Sequence, residues 1–145
     1  MSSADAEACA ELHAASFAYP WPASEFEALI ASESIFAVTA IASRTNAVRG
    51  FSLARRAADE AEILTIAVAE PFRRHGIGAV LLQTQCAHLA AAGVRSLFLE
   101  VGESNAPALA LYSRFGFIRV GARRGYYQGS AQGGGNAVVM KKTFA

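Results

Sequence analysis

Residues 4–17 are rich in Ala, Glu and Leu, and Ala8, Leu12 and Ser16 fall four apart, the spacing of one helical face. Asp5 stands near the start, where a carboxylate meets the positive end of a helix. The run Tyr19-Pro20-Trp21-Pro22 ends that pattern. Proline lacks the donor a helix needs and pushes the residue before it out of helical conformation. Ser24, with Glu27 three residues on, reads as the capping box of a second, short helix. The pattern then shifts to β-branched and aromatic runs. Strands are expected over 35–42, 48–55 and 62–68, with turns at Asn46 and at Asp59-Glu60.

Beyond Pro71 the period lengthens again. A glycine-bearing loop leads into a long helix over 77–92, closed by Gly93. Residues 96–101 read as a continuous apolar strand of the kind buried on both faces. Asn105 begins a helix over 106–115, with Pro107 in its first turn and Gly116 as its stop. Strands over 117–127 and 137–143 flank a loop that holds Gly129 and Gly133-Gly134-Gly135. The order α-α-β-β-β-α-β-α-β-β predicts one α/β domain over residues 1–145, a mixed sheet with helices packed on it.

Composition narrows the class. With 145 residues, 53% apolar and 17% charged, the chain can bury one sizeable core and lies far from the disordered regime. A net charge of +1 lacks the basic excess that sequence-independent nucleic-acid binding requires. No apolar run has the length of a membrane span, and the first residues lack the basic and apolar regions of a secretory signal. Neither a nucleic-acid nor a membrane partner is expected, and a cytoplasmic location is. Cys9 and Cys86 lie far apart without CxxC spacing, and His13, His75 and His88 have no ligand-like spacing, so no metal site is expected.

The loop Arg73-Arg74-His75-Gly76-Ile77-Gly78 sits between a strand and a long helix. Unpaired N–H groups at a helix start carry the positive end of its dipole and suit an anion. Glycines let the main chain close around a phosphate, and arginines add fork-shaped donors. By itself the loop is either a phosphate cradle or a solvated strand-to-helix turn. No GxxxxGK[ST] string occurs, and Leu81 stands where a dinucleotide fingerprint needs its third glycine. Glu100 is the one acid in the apolar run 97–101, and is either a base facing a cleft or an acid turned to solvent. Tyr112 has the spacing of a packing residue, and Asn105 that of an ordinary helix cap.

The spacing Arg73-x-x-Gly76-x-Gly78 resembles the pyrophosphate loop of the GNAT superfamily of N-acetyltransferases, and the flanking Leu64-Thr65-Ile66-Ala67-Val68 and Val80-Leu81-Leu82 match it too. Further motifs narrow the resemblance to the ribosomal-protein-alanine N-acetyltransferase branch. They are Leu99-Glu100-Val101, Ser104-Asn105-x-x-Ala108, Ala110-Leu111-Tyr112, Gly116-Phe117, Pro20-Trp21, Tyr126-Tyr127 and Ala137-x-x-Met140. The match runs over nearly the whole chain. It implies a mixed, mostly antiparallel sheet flanked by helices, with the family's first strand missing or truncated.

The resemblance also implies roles. Acetyl-CoA is the implied donor. Backbone groups of Ile66, Ala67 and Val68 would meet its pantetheine arm, Arg73, Arg74, His75, Gly76, Ile77, Gly78 and Ala79 its pyrophosphate, and Asn105 would touch it as well. Glu100 is the implied base and Tyr112 the implied acid, with Trp21, Tyr126 and Tyr127 as walls of a peptide channel. The implied partner is a protein N-terminus, that of a small-subunit ribosomal protein beginning with Ala. Alternatives are acetylation of a lysine side chain or a small-molecule amine, or an acyl-CoA-binding module without catalysis. Asn136 departs from the Asp that the family tends to carry before its last strand.

Overall fold

In the computed structural model, which describes residues 1–17, 19–123 and 136–144, the elements follow the expected α/β order. They are α1 (Ala6–Ser16), α2 (Ala23–Ala31), β1 (Ile35–Ile41), β2 (Val48–Ala57), β3 (Glu60–Val68), α3 (Ile77–Ala91), β4 (Ser96–Gly102), α4 (Ala106–Arg114), β5 (Ile118–Arg123) and β6 (Ala137–Thr143). Ahead of α1 the described chain forms a single 3-10 turn, Ser3–Asp5. The Asp5 carboxylate accepts the Ser2 N–H there, at 2.9 Å.

Ser24 does not cap α2. Pro22 is the cap residue, extended at φ −72° and ψ 164°, and its carbonyl accepts the Glu25 N–H at 3.0 Å. Proline's fixed φ lets the helix start at Ala23 and draws Ser24 into the first turn. The β2–β3 turn falls one residue before the expected Asp59-Glu60, because Ala58 takes the left-handed conformation at φ 57°. Asn46 is left-handed as well, at φ 55°, a conformation that Asn tolerates.

The sheet order is β1-β2-β3-β4-β6-β5, antiparallel except for the β3–β4 pair. That parallel pair is matched only at Glu60–Ser96, Ala61–Leu97 and Glu62–Phe98. Beyond Glu62 and Phe98 the strands part. Leu64 adds to the distortion, since β2 pairs Leu53 with Thr65 and Ala54 with Ile63, so that Leu64 has no partner across the ladder. A β4 buried on both faces is not observed: Leu97, Leu99 and Val101 are buried, whereas Phe98 and Glu100 are only half-buried. The alternation reflects the helices: the α3 cluster takes Leu97, Leu99 and Val101, and the α1–α2 cluster includes no residue of β4.

Two apolar clusters hold the sheet. Cys9, Leu12, Phe26 and Leu29 of α1 and α2 pack on Phe51, Leu53 and Ala67. Leu82, Cys86 and Leu89 of α3 pack with Ala54, Ile63, Leu97, Leu99 and Tyr112. Gln85 of α3 is fully buried and donates to the Phe36 carbonyl at 2.9 Å and to the Ser52 hydroxyl at 3.1 Å, tying α3 to β1 and β2. Among the described residues no helix is long and apolar enough to cross a membrane.

Candidate active site

Where β3 and β4 separate, a cavity of about 510 Å³ opens, lined by residues of both apolar clusters and of the elements around them. Leu64 to Val68 form one wall and Leu99, Glu100 and Val101 the other. Gly78 of α3 and Asn105, Ala108, Leu111 and Tyr112 of α4 close one end; His13, Phe17, Tyr19 and Trp21 close the other. Of the expected site residues, Ile66, Ala67, Val68, Gly78, Glu100, Asn105, Tyr112 and Trp21 therefore converge on one space. Arg73, Arg74, His75, Gly76, Ile77 and Ala79 lie outside its lining, on the loop and first turn that lead to Gly78. Tyr126, Tyr127 and the glycines at 129 and 133–135 lie outside the described residues.

The loop has the backbone that a helix-start cradle requires. Gly76 caps α3 in the left-handed region at φ 82°, and a Cβ placed there would meet nothing within 4 Å. Its glycine is demanded by conformation, and the space beside it stays open. Arg74 is also left-handed, at φ 66°, as Asn46 and Ala58 are in their turns. Gly78 sits where a Cβ would come within 3.8 Å of Leu111 and 3.9 Å of Val68, at the junction of α3, α4 and β3. Arg73 has a structural task. Its Nε donates to the Val68 carbonyl at 2.9 Å and its Nη2 to the Ser16 hydroxyl at 3.2 Å, clamping the end of β3 to the end of α1.

Glu100 reaches the cavity from β4. Arg123 of β5 donates from Nη1 to both of its carboxylate oxygens, at 3.0 and 3.1 Å. One nitrogen astride two oxygens leaves further lone pairs of the carboxylate for another donor. Tyr112 is buried on α4 with its ring edge-on to Phe117, centroids 5.7 Å apart. Asn105 caps α4, its side-chain oxygen accepting the Ala108 N–H at 3.3 Å, while also lining the cavity.

His13 is the residue that sequence spacing did not single out. It is 3% exposed, and its Nδ1 accepts the Trp21 backbone N–H at 3.1 Å. The ring stacks on Trp21 with centroids 4.8 Å apart, lies 4.3 Å from Phe17, and meets Phe26 edge-on at 5.6 Å. Phe17, the extended residue that ends α1, gives no helical-face signal for His13. Burial lowers the His13 pKa from its ordinary 6.5. Below about pH 6.5 the unfolded chain gains a proton that the folded chain refuses, so stability falls with pH until the folded pKa is reached. The denaturant midpoint is expected to drop between about pH 7 and about pH 5, and to drop less in His13→Phe. Equal slopes in both proteins would remove His13 as the cause.

A parted parallel strand pair, with a glycine-opened helix at its mouth and a carboxylate and a phenol in its walls, is the architecture of an N-acetyltransferase. Residues 6–117 match the family model described as the acetyltransferase (GNAT) family. The chain is 32% identical to the ribosomal protein bS18 alanine N-acetyltransferase of Salmonella typhimurium, over 97% of this chain and 92% of that protein. It is 39% identical to the N-alpha-acetyltransferase RimI of Mycobacterium tuberculosis, over 98% of this chain and 89% of that one. The crystal structure of the Escherichia coli ribosomal-protein alanine N-acetyltransferase superposes with a TM-score of 0.90 at 29% identity, covering 100% of this chain and 91% of that chain. The protein belongs to the acetyltransferase (GNAT) family.

Proposed function

We propose that the protein transfers the acetyl group of acetyl-CoA to the N-terminal α-amine of another protein, a ribosomal protein beginning with Ala. The observation that carries this reading is the convergence of Gly78, Glu100, Asn105 and Tyr112 on the gap between β3 and β4. The names of the Salmonella and Mycobacterium relatives support the same acceptor class. Acetyl-CoA supplies a thioester carbonyl activated for attack by an amine.

The residues present fit that donor. Beyond Glu62 the edge of β3 is unpaired toward β4, so the main chain of Ile66 and Ala67 can pair with pantetheine amides as an added strand would. The first N–H groups of α3 behind Gly76 suit the pyrophosphate. Glu100 takes the proton lost by the attacking amine, directly or through a water, as the C–N bond forms. Tyr112 gives its phenolic proton to the sulfur as the C–S bond breaks. An α-amine, with a pKa near 8, needs roughly 3.4 kcal/mol less deprotonation work than a lysine near 10.4. A single carboxylate can therefore serve an N-terminus where a lysine demands more.

Thiol release from acetyl-CoA with an Ala-started ribosomal peptide, set against free lysine and polyamines, tests this function. Preference for the peptide is expected. Preference for lysine or polyamine would move the acceptor to those amines, and cofactor binding without turnover on any acceptor would leave a binding module. Tyr112→Phe is expected to lower turnover about 10²-fold with acetyl-CoA affinity retained. An unchanged rate would take Tyr112 out of the acid role.

A further inference from the structure

The His13 ring is held by one nitrogen and has the other to offer. Because Nδ1 accepts the Trp21 N–H, the neutral ring carries its proton on Nε2. His13 forms no second side-chain hydrogen bond to a described residue, and it lines the cavity. On the β3 wall of the same cavity the Thr65 hydroxyl is buried without a partner among the described residues. Thr65 lies opposite Leu53 and two residues from Ala67, both in the cluster that holds α1, so strand periodicity turns it toward the α1 side. A polar group in an apolar surround gains free energy when a partner is supplied to it. The aromatic groups recorded against the ring, Phe17, Trp21 and Phe26, are all neutral, and burial alone accounts for its preference for the uncharged form.

We propose that His13 Nε2–H donates a hydrogen bond to the first peptide carbonyl of the acceptor, and thereby selects an α-amine over a side-chain or alkyl amine. The inference rests on the N-terminal-acetylation reading above and names the residue that reads the acceptor's backbone. The chemistry is discriminating. In a peptide N-terminus the carbonyl stands one carbon from the reacting nitrogen, whereas a lysine side chain or a polyamine has none near its amine. His13 also positions Trp21, through Nδ1, so its two ring nitrogens link the channel wall to the acceptor. The aromatic end of the cavity thus contains a donor held in place through its other nitrogen, the kind of placed polar group by which small sites orient a ligand.

The test is a chemical double-mutant cycle on the intact protein, with acetyl-CoA as donor and two acceptors: an Ala-started peptide and an alkyl amine of matching size that lacks the carbonyl. His13→Phe keeps the stacked ring and removes both nitrogens. It is expected to raise the peptide KM about tenfold, or 1.4 kcal/mol, while kcat/KM for the alkyl amine and the acetyl-CoA Kd stay within about twofold. His13→Gln places an amide donor near Nε2 and restores part of the peptide KM. His13→Asn places an acceptor near Nδ1, keeps the Trp21 bond, and does not restore it. The wild-type Nε2 resonance, read by nitrogen-15 NMR, shifts when the peptide is added with CoA. Equal loss on both acceptors, or an unchanged peptide KM in His13→Phe, would overturn the role of His13 while leaving N-terminal acetylation intact. Wild-type turnover of the alkyl amine but not of the peptide would overturn both.

Discussion

Glu100→Gln is expected to lower turnover by about 10²–10⁴-fold, the usual contribution of a positioned base, while the acetyl-CoA Kd measured by calorimetry stays nearly unchanged. The loss should be steepest at low pH, where more of the acceptor amine must give up a proton. The fold itself is not at stake. Arg123, which pairs with Glu100, has a side chain 61% exposed, and such pairs contribute about 0–1 kcal/mol. The amide oxygen of Gln can also accept the Arg123 N–H, so no buried charge is stranded. A fall in acetyl-CoA affinity as large as the fall in turnover would make Glu100 structural. An unchanged turnover would assign the proton to another group.

Phe26→Ala is expected to cost about 3–5 kcal/mol, a large part of a typical domain's roughly 5–15 kcal/mol. Phe26 is fully buried, edge-on to Phe51 at 5.4 Å, and in ring contact with His13 at 5.6 Å and Trp21 at 5.7 Å. Thermal melts should show a decrease of roughly 6–20 °C. Because the ring is the floor under His13 and Trp21, the surviving folded protein should bind acetyl-CoA normally and the acceptor peptide poorly. A melting point within about 2 °C of wild type would show that the site collapses around the lost ring.

The elements that local chemistry dictates were legible in the chain. Gly76 and Gly93 bracket α3, Asn105 and Gly116 bracket α4, and the turn at Asn46 stands where its residue type placed it. Ser24 lost the cap of α2 because Pro22 offered a backbone already set to enter the helix. The alternating burial of β4 depends on the α1–α2 cluster ending short of it, which no local pattern encodes. The site divides along the same line. Gly78, Glu100, Asn105 and Tyr112 belong to motifs of short span, and the structure brings them together. His13 enters through packing of α1 on a distant strand, and Arg123 meets Glu100 across 23 residues of chain. The contacts of Arg73 with Val68 and Ser16, across 57 residues of chain in the second case, have no signal in the local sequence either.

The short β3–β4 pairing has a mechanical consequence. It leaves two antiparallel leaves, β1-β2-β3 and β4-β6-β5, hinged along a few backbone bonds near Glu60 to Glu62. One apolar cluster under α3 spans both leaves, so what the parting opens is the backbone edge beyond Glu62 and Phe98. The unpaired amides of that edge are expected to exchange sooner than those bonded within either leaf. A donor laid along β3, with its thioester held against β4, ties the leaves together. Its binding is expected to slow amide exchange along that edge, so that the substrate serves as a brace as well as a reactant.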